Sequence, residues 1–330
     1  MQAIFRSFLA LCCATICLAS SGQTYHQIAR WDLHASGSFD YLLASSEDHR
    51  LYVAQGTQVV VVDTQNGSVI GTIGGLQHVH GVVLSADHKT GYISDGGANK
   101  IVIFDIPSLK ISGAIPTGGE NPDALLIEPT TGLLYTYNGK SRQGVAIDLK
   151  TRKVVDTFAV PGKPEFSQAD GKGNIYVNIE TTSQLLRVDA ANHKVTAQWK
   201  LSGCEGPSGL AYDAAAKRLF SVCDGKMAVT DAATGKQVAL VSIGDGPDAV
   251  WFDAKRKLVF ASNGETGTLS IVKQESANRY TVQQTLKTAP GARTMALDSA
   301  DGRAFVIAPM PSSRTNGSNT TSLSILVFGA

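Results

Sequence analysis

Asp40, His80, Asp123, Glu165, Ser208, Asp248 and Arg293 stand 40 to 45 residues apart, each at the start of a β-prone run. Four carboxylates, an imidazole, a hydroxyl and a guanidinium at equivalent places form a polar set able to bind a small ligand. Carboxylate and amide oxygens together suit a hard cation such as Ca²⁺, so Asp123, Glu165 and Asp248, with Asn138 and Asn263 at nearby turns, are candidate ligands for a divalent ion. His80 beside carboxylates could hold a transition metal or serve as a general base, which makes it the candidate catalytic residue. The competing structural reading is that small polar residues at strand entries cap turns and hydrate a narrow channel. His78-Val79-His80 places two imidazoles on one side if the segment is extended. The alternative puts His78 on a loop and leaves His80 alone in the set.

Of the five cysteines, Cys12, Cys13 and Cys17 fall in the N-terminal apolar segment, leaving Cys204 and Cys223 for a disulfide or two free thiols. Residues 309–322 (PMPSSRTNGSNTTS) form a polar insertion expected to be a surface loop, with N-x-S/T triplets at Asn316 and Asn319. Phosphate-binding Gly-rich loops, C-x-x-C-H, G-x-S-x-G and H-E-x-x-H motifs are absent from the sequence.

The elements that must position these residues follow from a repeat. A β-rich run ends in Asp at Asp63, Asp105, Asp148, Asp189 and Asp231, at spacings of 42, 43, 41 and 42 residues, and Lys273 takes the next place. Each unit holds four short strands, here called a to d. The sixth reads Gly246 to Asp253, Lys257 to Ser262, Thr268 to Lys273 and Tyr280 to Leu286. Four-stranded units of this length in tandem are the signature of propeller blades. Strand a begins near Phe39, Val79, Pro122, Pro164, Pro207, Pro247 and Ala292, which predicts an all-β propeller of seven four-stranded antiparallel blades. Where Phe39, Val79 and Ala292 replace the Pro, looser turns are expected. The last unit lacks strand d, and residues 28–33 (IARWDL) match residues 196–201 (TAQWKL) of a strand d, so the N-terminal strand is expected to complete blade seven and lock the ring.

The pattern G-x-x-P-x-x-V-x-x-D, then L-Y/F, then V-x-x-x-D, from about residue 25 onward, resembles the YVTN-repeat propellers, which include the secreted YncE-like proteins. The resemblance implies the fold. It leaves function open, because such propellers serve as binding modules, lactonases, dehydrogenases and scaffolds.

Residues 1–21 read as a secretory signal, with Arg6, the apolar run Phe8 to Leu18 and small residues to Gly22, cleaved between about residues 19 and 23. Residues 22–330 then form a single periplasmic or secreted domain without a membrane span, expected to be a monomer. A net charge of +1 provides no basic stripe, which argues against nucleic acid as partner. The expected function is a binding module using the channel mouth for a small molecule, an ion or an extracytoplasmic protein. The alternative is a lactonase-type hydrolase with a cation in the channel.

Overall fold

A computed structural model describes residues 24–311 and 321–330. The segment expected to be a secretory signal, Asn316 and Asn319 lie outside the described residues, as does most of the polar insertion.

Alternating apolar residues build seven four-stranded antiparallel sheets. The chain is a seven-bladed β-propeller. Strand a is innermost in every blade. Strands b and c are almost wholly buried, as in Arg218–Cys223, while strand d alternates between exposed and half-buried, as in Lys194–Lys200.

The repeated Asp residues are turn devices. Asp63 Oδ1 accepts from the backbone N–H of Gln65 at 2.7 Å, Asp148 Oδ1 from Lys150 at 2.8 Å, and Asp231 Oδ1 from Thr234 at 2.9 Å. A short carboxylate that bonds the backbone two or three residues on fixes the c-to-d turn. Lys273 cannot do this. In blade six strands c and d accordingly run on, as Thr268–Ser276 and Arg279–Lys287, beyond the ends that the sequence suggests.

Strand a begins where expected in blades two, three, four and six, but at Leu42, Leu210 and Met295 in blades one, five and seven. The missing Pro is not the cause: Val79 opens blade two on time, and blade five starts late despite Pro207. All the blades share an irregularity at the head of strand a. In blade two the register shifts between Val79 and Val82; in blade five Ser208 N donates to Val222 O at 3.0 Å and Val222 N to Gly209 O at 3.1 Å across the same bulge.

Among the described residues seven apolar clusters hold the ring, each built from the facing sides of two consecutive blades. Between blades seven and one, Phe305, Ile307 and Ile325 meet Leu42, Val53 and Val62. The outermost strand beside Thr321–Gly329 is His26–Asp32, antiparallel to it. Trp31 from that strand lies against Phe305, ring centres 5.6 Å apart, and over Gly67 in the c-to-d turn of blade one. Gly67 has φ +78°, and a Cβ there would sit 2.2 Å from the indole. Only glycine meets both demands. Trp199 covers Gly235 in the same way between blades four and five.

Trp31→Ala should open a space at this seam and lower unfolding free energy by about 2 kcal/mol, below the range for a fully buried aromatic because the indole is half-buried. Removing residues 24–33 should cost more. Urea unfolding checks both, and an unchanged midpoint in the truncated chain would mean that the ring does not depend on this strand.

Candidate functional site

All seven residues at the head of strand a line one cavity of about 780 Å³ at the mouth of the channel. The volume is in the range of small-molecule sites, roughly 300–1,000 Å³.

One residue further along, the strands carry Tyr41, Gly81, Ala124, Phe166, Gly209, Ala249 and Thr294. Most of these side chains are small, which leaves the axis to the two aromatic rings. Tyr41 and Phe166 meet edge to face with centres 5.1 Å apart. Below the polar ring they and their apolar neighbours leave only about 10 Å³ of open space. The cavity is therefore a blind cup with a polar wall and an apolar floor. Burial, followed by the charges of Asp123 and Glu165, holds the Tyr41 hydroxyl well above its ordinary pKa, so it stays neutral.

His80 is buried among the wall groups. Its Nδ1 lies 2.7 Å from Asp40 Oδ2 and 3.7 Å from Asp123 Oδ1, and its Nε2 lies 3.1 Å from Asn121 Oδ1. Burial works against charge on the ring, but the bond to Asp40 and the charges of Asp123 and Asp40 outweigh it and push the pKa up to about 9. The protonated ring donates to Asp40 and Asn121. Gly96 makes room for it, since a Cβ there would come within 2.6 Å of the imidazole. His78 sits outside on an exposed loop at φ +54°, its ring edge-on to His80 at 4.6 Å. The segment is thus not extended at His78.

The carboxyl groups divide into two sets. Asp123 and Glu165 are buried, and Asp123 Oδ1 has no hydrogen-bond partner. Burial drives the Asp123 pKa up to about 6, against the pull of His80; burial and then the charge of Asp123 drive Glu165 to about 8, against Lys163. Lys163 Nζ bridges Glu165 Oε1 at 2.6 Å and Glu180 Oε2 at 2.7 Å. Asp248 accepts from Ser208 Oγ at 2.6 Å and pairs with Arg293 Nε at 3.1 Å, and burial raises its pKa. Arg293 also donates to Phe39 O at 3.1 Å and lies over the Phe39 ring. The second set, Glu205, Asp224 and Glu265, stands exposed at the rim of blades five and six.

The rim was not read from the sequence. Asp95, Asn138, Cys223 and Asn263 end strand b, and none of them lines the cavity. Asn138 and Asn263 are fully buried inside their blades, where Asn263 Nδ2 donates to Thr268 Oγ1 and Ser270 Oγ, so neither can join Asp123 in a ligand set. The lining residues follow instead, as Glu180, Asp224 and Glu265 in the b-to-c loops, with Lys163 and Glu205 from the d-to-a loops. The missed signal was the acid just past strand b in three successive blades. Among the described residues no three His, Cys, Asp or Glu side chains converge as metal ligands.

Cys204 and Cys223 are disulfide-bonded, with Cα atoms 5.3 Å apart. Each immediately precedes a rim carboxylate, Glu205 and Asp224 respectively, so the bond ties together the two loops that present them.

No protein-family model matches the chain, and no curated protein matches it in sequence. Solved structures do match in fold. The RRP9 WD40 repeats align over 92% of this chain and 100% of theirs at 13% identity and TM-score 0.77. A chain of the Mitotic Checkpoint Complex aligns over 100% and 99% at 13% identity and TM-score 0.76. A chain of the Kuenenia stuttgartiensis hydrazine synthase aligns over 88% and 97% at 14% identity and TM-score 0.72. At these identities the likeness is one of fold.

Raised carboxyl pKa values mean that the folded state binds protons more tightly than the unfolded chain, so stability must fall as pH rises. For Asp123 and Glu165 the window opens near their ordinary values of 3.8 and 4.5 and closes near 6 and 8. His80 adds stability below 6.5 that is lost as pH passes about 9. Melting temperature should therefore decline from about pH 4 to pH 9. An Asp123→Asn, Glu165→Gln variant should flatten the part below pH 8, and an unaltered slope would contradict these assignments.

Proposed function

We propose that the protein is a binding module that holds a positively charged ligand group in the cup at the channel mouth. The observation that carries this reading is local charge. The whole chain has 29 Lys and Arg against 28 Asp and Glu, yet the cup gathers eight carboxyl groups against Lys163, Arg293 and His80. An acidic concavity with a low-dielectric floor focuses a negative field and concentrates cations.

β-Propellers generally serve as interaction modules, and rigid blades that present varied loops suit that role. Placement in the periplasm or outside the cell is part of the proposal. It draws support from the Cys204–Cys223 bond, since such bonds persist in oxidising compartments.

The binding reading is preferred to the hydrolase because both nitrogens of His80 are engaged by Asp40 and Asn121, so the imidazole is not free to take a proton from a water in the cup. Asp123 and Glu165 remain the groups that would offer oxygens to an ion such as Ca²⁺.

Nuclear magnetic resonance titration with an alkylammonium ion should shift backbone signals of Asp40, Asp123, Glu165 and Asp248, more strongly at pH 8 than at pH 5.5 because a bound cation displaces protons. Asp123→Asn with Asp248→Asn should weaken binding at least tenfold. Shifts with butyrate but not with the ammonium would overturn the reading. Shifts with Ca²⁺ alone would assign the cup to a metal ion.

A further inference from the structure

The cup is not uniformly acidic, and the arrangement of its acid carries a more specific conclusion, which rests on the reading of the cup as a cation site. Its most deeply set carboxyl group is Asp123 in blade three: the residue is 6% exposed, its side chain lines the cavity, and Oδ1, sealed from solvent and without a hydrogen bond, has only the His80 ring at 3.7 Å for company. A buried carboxylate short of donors is costly, and an ammonium group at its cavity-facing side would offset that cost. The second concentration of acid lies at the rim, where Asp224 and Glu205 of blade five and Glu265 of blade six face solvent.

Blades three and six are three steps apart in a ring of seven, so Asp123 and Glu265 stand nearly opposite each other across the mouth. Between them lies the apolar floor capped by Tyr41 and Phe166. A single ammonium group would satisfy one pole and leave the other unused. Two ammonium groups joined by a short methylene chain would meet both, with the hydrocarbon over the floor.

We infer that the ligand class is a linear aliphatic diamine or polyamine, bound with one ammonium at Asp123 and another at the rim carboxylates of blades five and six. The closed floor and the cavity of about 780 Å³ favour such a small molecule over a through-passing chain. Binding is noncovalent, and protons leave the carboxyl groups for buffer as the cation arrives.

Isothermal titration calorimetry on the full chain, with n-butylamine, 1,5-diaminopentane, spermidine and tetralysine as probes, tests this. The expected result is that the diamine and spermidine bind at least tenfold more tightly than the monoamine, with proton release seen as a buffer-dependent heat. Asp123→Asn alone, and Asp224→Asn with Glu265→Gln, should each reduce diamine affinity to the monoamine level. The rim pair is exposed and tests the idea even where Asp123→Asn fails to fold.

Equal affinity for monoamine and diamine would overturn the two-pole inference while leaving the cup a cation site. Absence of binding by every amine would overturn both. Tighter binding of tetralysine than of spermidine would make the occupant a protein chain and end the polyamine assignment.

Discussion

A four-stranded sheet with two apolar faces cannot stand alone in water, and each blade here depends on a neighbour at either side. Among the described residues every apolar cluster straddles two blades, and none is a core within a single blade. The geometry follows from that dependence. The wedge-shaped sheets must go round until the last faces the first, and the narrow ends must converge on an axis. Side chains at the heads of the innermost strands escape the packing between blades, which frees them to differ. Chemistry collects there because the apolar faces leave it nowhere else near the axis.

Much of the fold was legible because the repeat is written in turn chemistry. Asp63, Asp105, Asp148, Asp189 and Asp231 end strand c because a short carboxylate caps the turn that follows. The aromatic of strand b, from Tyr52 to Phe305, is buried in every blade and provides a reliable register from which the seven wall residues can be counted. That count brought Asp40 to Arg293 onto one cavity. The reading failed where side-chain direction matters. Asn138 and Asn263 close strand b and turn into the blade, and the next one or two residues reach the cup. Composition could not disclose Tyr41 and Phe166 as a floor, because each looks like an ordinary core aromatic until their partners at the same level are seen to be small.

Bulk charge misled in a similar way. A near-neutral total provides no basic stripe to expect, but it averages over a surface on which acid is concentrated at one end of the channel. The wall offsets part of that acid internally, through His80 with Asp40, Lys163 with Glu165 and Glu180, and Arg293 with Asp248. Asp123 is the group left without a hydrogen-bond donor for Oδ1, and burial holds it and Glu165 toward their protonated forms. Both carboxyl groups therefore keep their protons to a higher pH than a free acid does.

The pairing of His26–Asp32 with Thr321–Gly329 also sets a timetable. Arg30 Nε donates to Ser324 Oγ across 294 residues of chain. The strand synthesised early is used last, and until its partner emerges both edges of the seam stay unpaired. Loop-closure entropy grows only slowly with length, so the delay costs little in final stability. It costs time, since contacts of such separation are slow to form. A nascent chain therefore keeps this seam open until residues 321–329 have been made.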